Sequence, residues 1–172
     1  MLRQKINFSV ASIGKEEEEA VLRVLRSGWL TTGKETMSFE NEFAQKIGAK
    51  YALAVNSATS GLMLAYDAVG AKNGYKILTT PYTFASTALA AHHLGARVEY
   101  ADIEKDSYNI SPEEVEKKLE QDSKNEKKIK AIVPVHIAGN VCNMEKLKQI
   151  AAYYDVKIIE DAAHAFPSKT KN

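Results

Sequence analysis

From residue 51 onward the sequence alternates short apolar runs with stretches of helical character, and this limits the fold more than any other feature. Residues 51–56, 76–80, 97–101, 131–135 and 156–159 read as five strands. Between them, residues 58–69, 85–94, 111 to about 121, and 144–154 read as helices. Ser111-Pro112-Glu113-Glu114 is a strong helix start, with a cap, a proline in the first turn and early acids. Gly95 ends the preceding helix, and the Lys-rich stretch 122–130 reads as a solvated loop. Strands separated by helices predict an α/β fold. It should be a three-layer α/β/α arrangement whose mostly parallel sheet is covered on both faces.

The first 50 residues read as a separate helical segment. Ser12 or Gly14 opens a helix that runs to Ser27, with Glu16 to Glu19 near its positive end and Val21, Leu22 and Leu25 as its apolar stripe. Gly28 ends it, and Trp29-Leu30-Thr31-Thr32-Gly33 forms a loop. A second helix carries Phe39, Phe43 and Ile47 at four-residue spacing and closes at Gly48.

Composition narrows the function classes. A length of 172 residues supports a real core, and 45% apolar with 26% charged residues is ordinary for a globular protein. A formal net charge of +1 gives no case for nucleic-acid or membrane binding. No apolar run approaches transmembrane length, and residues 1–14 lack a signal-peptide core. The single cysteine, Cys142, suits a reducing cytoplasm. His92, His93, His136 and His164 occur without the spacing of a metal site, so no metal is expected.

In a parallel α/β sheet, ligands bind beyond the carboxyl ends of the strands. The residues there are Ser57 to Gly61, Pro81 to Phe84, His136 to Asn140 and Asp161 to His164. Val55-Asn56-Ser57-Ala58-Thr59-Ser60-Gly61 puts small hydroxyl residues at a strand-to-helix junction, ahead of Leu62, Leu64, Ala65, Ala68 and Val69 as the buried face. Free amides and the helix dipole suit such a junction to a phosphate, and they equally suit an ordinary helix cap. Asp161, at the end of an apolar strand, needs a partner such as a protonated ring nitrogen, or else caps the turn that follows. His164 shares its face if that turn is helical. Neither a dinucleotide fingerprint nor a P-loop is present.

Five stretches carry a resemblance. They are Ser27-Gly28-Trp29-Leu30-Thr31-Thr32-Gly33, Asn56-Ser57-Ala58-Thr59-Ser60-Gly61, Thr80-Pro81-Tyr82-Thr83-Phe84-Ala85-Ser86-Thr87, Pro134-Val135-His136-Ile137-Ala138-Gly139, and Ile159-Glu160-Asp161-Ala162-Ala163-His164-Ala165. In this order they resemble the N-terminal half of the DegT/DnrJ/StrS family of sugar aminotransferases that depend on pyridoxal 5'-phosphate (PLP). The resemblance implies an incomplete large domain of the aspartate aminotransferase type (PLP-transferase fold type I), spanning residues 51–172. It assigns Thr59 and Ser60 to the cofactor phosphate, Phe84 to stacking on the pyridine ring, Asp161 to the pyridinium nitrogen, and His164 to a position near the ring.

The family's Schiff-base lysine falls a couple of dozen residues past this aspartate. Lys169 and Lys171 come too soon to match it, so the lysine is expected beyond Asn172 and the chain reads as a truncated product or fragment. The resemblance further implies a homodimer, an amino donor such as glutamate, and a nucleotide-linked keto sugar as acceptor, closest to UDP-linked 4-keto sugars. A sugar dehydratase of the same family, with histidine replacing the lysine, and a noncatalytic subunit pairing with a full-length partner are the alternatives.

Overall fold

A computed structural model describes residues 10–125 and 128–170. The chain forms two compact units, one extending to Ala54 and the other from Val55 onward.

The first unit holds two helices, α1 (Lys15–Ser27) and α2 (Lys34–Ile47). The Gly14 amide opens α1 by donating to Glu17 Oε2 at 2.7 Å, and three glutamates sit in its first turn, facing the helix's positive end. The Val21–Leu22–Leu25 stripe forms as the periodicity requires, yet these side chains stay exposed and α1 has no buried residue. In α2 the Phe39 and Phe43 rings, one turn apart, pack at a tilt of 40° with centroids 5.7 Å from each other.

The expected first strand, residues 51–56, is not one. No ladder forms there among the described residues; Tyr51 is 78% exposed and Leu53 72%. The Ala54 amide is taken by the Glu40 carboxylate of α2 at 2.8 Å. A strand needs a partner to satisfy alternate amides and carbonyls, and no ladder pairing involves this segment among the described residues.

The second unit contains α3 (Ala58–Ala68), β1 (Lys76–Thr79), α4 (Ala85–His93), β2 (Arg97–Tyr100), α5 (Pro112–Asn125), β3 (Ile129–Ile132), α6 (Met144–Tyr154) and β4 (Lys157–Ile158). The four strands are all parallel, in the order β2-β1-β3-β4. The chain runs from β1 to one neighbour and then crosses back to the other side. Right-handed crossovers therefore put α4 on one face of the sheet, and α5 and α6 on the opposite face.

The two cores follow that division. Ile77, Ala131 and Val133 pack with Leu62, Tyr66, Ala90 and Ala91 of α3 and α4. Leu78, Ile129 and Ile132 pack with Val115, Leu119, Leu147 and Ile150 of α5 and α6. Ile129 and Ile132 share a face despite their odd spacing. The reason is a register shift: Lys76 opposes Ile129 while Ile77 opposes Ala131, so Lys130 is an extra residue in β3.

Helix α5 runs to Asn125 and Asp122 is part of it, which corrects the expected loop from 122. Its polar sequence hides an internal role. Asp122 Oδ2 accepts from the Ile129 amide at 2.9 Å, and Oδ1 lies 3.6 Å from Lys76 Nζ, which also pairs with Glu99 at 3.2 Å. An acid buried this way must have a cation and a donor beside it, and both come from the starts of strands. No helix among the described residues is long and apolar enough to cross a membrane.

Candidate functional site

The sheet changes direction between β1 and β3, and the carboxyl ends of these strands form the crevice where a doubly wound fold accepts ligands. Thr79 spans it, its hydroxyl donating to the Val133 carbonyl at 2.8 Å. Beyond β4 the pairing continues as a single bridge. Asp161 N–H donates to the Pro134 carbonyl at 2.9 Å, and His136 N–H to the Asp161 carbonyl at 3.1 Å. This bridge lifts Asp161 to the same rim as the end of β3.

Helices α3 and α4 pack side by side with their amino termini at this rim. The opposite ends show it. A Cβ on Gly95, just after α4, would lie 2.0 Å from Asn73 Oδ1 in the loop between α3 and β1. Only glycine, at φ +76°, permits that approach, so both helices end at the amino edge of the sheet and begin at the carboxyl edge.

At the start of α3, Ser57 is the N-cap, its Oγ accepting from the Ser60 amide at 3.2 Å. The Ser60 hydroxyl donates to Asn56 Oδ1 at 2.6 Å. The cap reading of this stretch is therefore realised. It leaves the Ala58 and Thr59 amides without a hydrogen bond among the described residues, as the first turn of a helix does. Thr59 and Ser60 are half-buried. On the buried face, Leu62 is joined by Tyr66, whereas Leu64 and Ala68 are exposed, contrary to expectation.

Asp161 is only 8% exposed. Its Oδ2 accepts from the Thr87 hydroxyl of α4 at 2.7 Å, and its Oδ1 from the Ala163 amide at 3.3 Å. Thr87 and Thr83 hydroxyls are 2.7 Å apart, and Tyr66 Oη donates to the Thr87 carbonyl at 2.9 Å. Burial, and secondarily the Asp161 charge, push the Tyr66 hydroxyl well above its ordinary range. Phe84 occupies the N-cap position of α4 and is 78% exposed, leaving an aromatic face open beside the aspartate's anchor. His164 is exposed in the turn after Asp161. Its backbone passes close to Gly139, where a Cβ would come 3.3 Å from the His164 carbonyl. Lys169 is exposed, and Lys171 lies outside the described residues.

A second polar cluster lies on the other side of the rim. His136 is 3% exposed; its Nδ1 accepts from the Cys142 amide at 3.2 Å, which directs the Nε2 proton to Glu160 Oε2 at 2.9 Å. That bond holds the Glu160 carboxyl below the usual carboxylate range. Cys142 donates to the Val135 carbonyl at 3.2 Å, and burial pushes its thiol up to about 11.

Sequence reasoning named Asp161 and the α3 cap but gave no role to Tyr66, Thr83 or Thr87. The one available signal was the four-residue spacing of Thr83 and Thr87 across a helix start; their partner lies 74 residues away.

Residues 11–172 match the model of the DegT/DnrJ/EryC1/StrS aminotransferase family. The chain belongs to this family. This DegT family member is 42% identical over 158 residues to the spore coat polysaccharide biosynthesis protein SpsC of Bacillus subtilis, covering 92% of the chain and 39% of SpsC. Among solved structures, 3-amino-5-hydroxybenzoic acid synthase superposes with a TM-score of 0.81 at 36% identity, over 90% of this chain and 39% of that one. The PLP form of the sugar aminotransferase Spr1654 from Streptococcus pneumoniae superposes with a TM-score of 0.85 at 27% identity, over 95% and 44%. The architecture is that of the fold type I aminotransferases, as expected. The chain spans about two fifths of the length of the curated relatives it matches.

Proposed function

We propose that this DegT family member forms the cofactor-binding part of a PLP-dependent sugar aminotransferase. Residues 51–172 belong to its large domain, and residues 1–50 form a helical segment ahead of it. The observation that carries the reading is Asp161: a carboxylate almost removed from water, held by one hydroxyl and one amide, with acceptor capacity left over. A buried carboxylate with room for another donor suits a protonated ring nitrogen.

The surrounding residues fit PLP. Thr59, Ser60 and the unpaired amides at the start of α3 would hold its phosphate, the Phe84 ring would cover its pyridine, and His164 would lie near the ring. When bound, the cofactor supplies an electron sink for breaking bonds at an amino-bearing carbon. Asp161 would accept a hydrogen bond from the protonated ring nitrogen and so favour keeping the proton there, and the start of α3 would offset part of the phosphate charge. The reading extends to a donor such as glutamate, a nucleotide-linked 4-keto sugar, of which a UDP sugar is the favoured class, a cytoplasmic homodimer, and a role in polysaccharide or amino-sugar biosynthesis. It assigns no Schiff-base lysine to residues 1–172.

The test is PLP binding followed by absorbance, with borohydride added afterwards. The chain is expected to bind PLP noncovalently, Asp161→Asn to bind it at least about tenfold more weakly with an unchanged circular dichroism spectrum, and borohydride to fix no cofactor. Equal binding by Asp161→Asn would remove the aspartate from its role, and a specific adduct on Lys169 or Lys171 would put the anchoring lysine in this chain.

A further inference from the structure

Asp161 has a directed hydrogen-bond relay behind it. Thr87 has one hydroxyl proton, and it goes to Asp161 Oδ2. The contact between Thr87 and Thr83 must therefore be made by the Thr83 proton, with Thr87 accepting. The order is Thr83 to Thr87 to Asp161. Thr87 is fully buried and is the only side chain bonded to Asp161 among the described residues. The first turn of α4 is also tied down, because Tyr66 of α3 donates to the Thr87 carbonyl. The aspartate follows β4 and its donor stands on α4, so the relay joins two elements that flank the crevice.

We propose that Thr87, backed by Thr83, is a positioning residue that sets the orientation of the Asp161 carboxylate toward the ring nitrogen of the cofactor; this rests on the cofactor reading above. A carboxylate turns freely about its terminal bond unless its oxygens are held. Thr87 occupies Oδ2 and Ala163 N–H holds Oδ1 more weakly, so the hydroxyl decides which lone pairs face the ligand. The relay also lends polarity. A hydroxyl that accepts from another hydroxyl is a better donor, which strengthens the bond to the charged oxygen. The motif's threonines act through the aspartate and need not touch the ligand.

Pyridoxamine 5'-phosphate, which binds without a lysine, is the probe. Ring-15N-labelled probe reports protonation of its nitrogen by chemical shift, and the wild-type chain, Thr87→Val, Thr87→Ser, Thr83→Val and Asp161→Asn are compared. In ligand-free protein, the isotope-edited infrared carboxylate bands of aspartate give a second readout that needs no cofactor.

The expected result is a pyridinium-like shift in wild type and Thr87→Ser, a move toward the pyridine value in Thr87→Val with about tenfold weaker binding, and a smaller move in Thr83→Val. The infrared bands should change in Thr87→Val and return in Thr87→Ser. Thr83→Val, at the half-buried end of the relay, keeps the test open if Thr87→Val does not fold. If Asp161→Asn shifts the nitrogen signal while Thr87→Val and Thr83→Val do not, the positioning role is overturned and the aspartate's role stands. If Asp161→Asn changes nothing, or wild type does not bind the probe, the cofactor reading falls and this inference with it.

Discussion

Tyr66→Phe should destabilise the chain at neutral pH yet make it less sensitive to alkali. Tyr66 is fully buried, and its hydroxyl donates to the Thr87 carbonyl at 2.9 Å. Removing the hydroxyl leaves a buried acceptor one partner short, at a cost of about 1 kcal/mol. The alkaline effect has the opposite sign. Burial and the Asp161 charge raise the folded pKa of this phenol above its ordinary value of 10.0. Its contribution is thus fully present below about pH 10 and is lost as pH rises further, because the unfolded chain ionises the phenol first. At about pH 11 that loss reaches about 1.4 kcal/mol, which more than offsets the hydrogen bond. The other tyrosines are common to both proteins and cancel. Urea titrations of wild type and Tyr66→Phe between about pH 8 and 11 should give stability curves that start about 1 kcal/mol apart and cross at about pH 10.6. A constant gap across that range would show that Tyr66 ionises equally in both states. No gap at neutral pH would show that the bond to Thr87 contributes nothing.

Two further outcomes follow from the second polar cluster. The Cys142 thiol, raised from 9.0 to about 11, should react with iodoacetamide at neutral pH at least about a hundredfold more slowly in the native chain than in urea; comparable rates would refute its burial. Glu160→Gln should cost under about 1 kcal/mol, since this carboxylate is half-exposed beside His136, and should blunt the acid sensitivity of folding. The Glu160 pKa lies below its ordinary value of 4.5, so its contribution is present above that pH and lost as pH falls through the folded value. An acid-unfolding midpoint unchanged by the substitution would sink this assignment.

The helices of this chain were written locally. Ser111-Pro112 opens α5, Asn143 caps α6, and Gly28, Gly48 and Gly95 stand just past or near helix ends. Each signal acts within a turn or two of itself, so sequence alone places these elements and, through their alternation with apolar runs, the α/β class. Strands are different, because a strand exists only where another chain segment completes its hydrogen bonds. Residues 51–55 have the composition of a strand and, among the described residues, no ladder, while Asp122, in a stretch that reads as solvated, is buried against Lys76. The order β2-β1-β3-β4, the extra residue at Lys130 and the relay from Thr83 through Thr87 to Asp161 were settled by tertiary packing. Thr87 and Asp161 are 74 residues apart, and no local preference of either specifies the other. The sheet brings them within 2.7 Å because β1 and β4 both end at one rim.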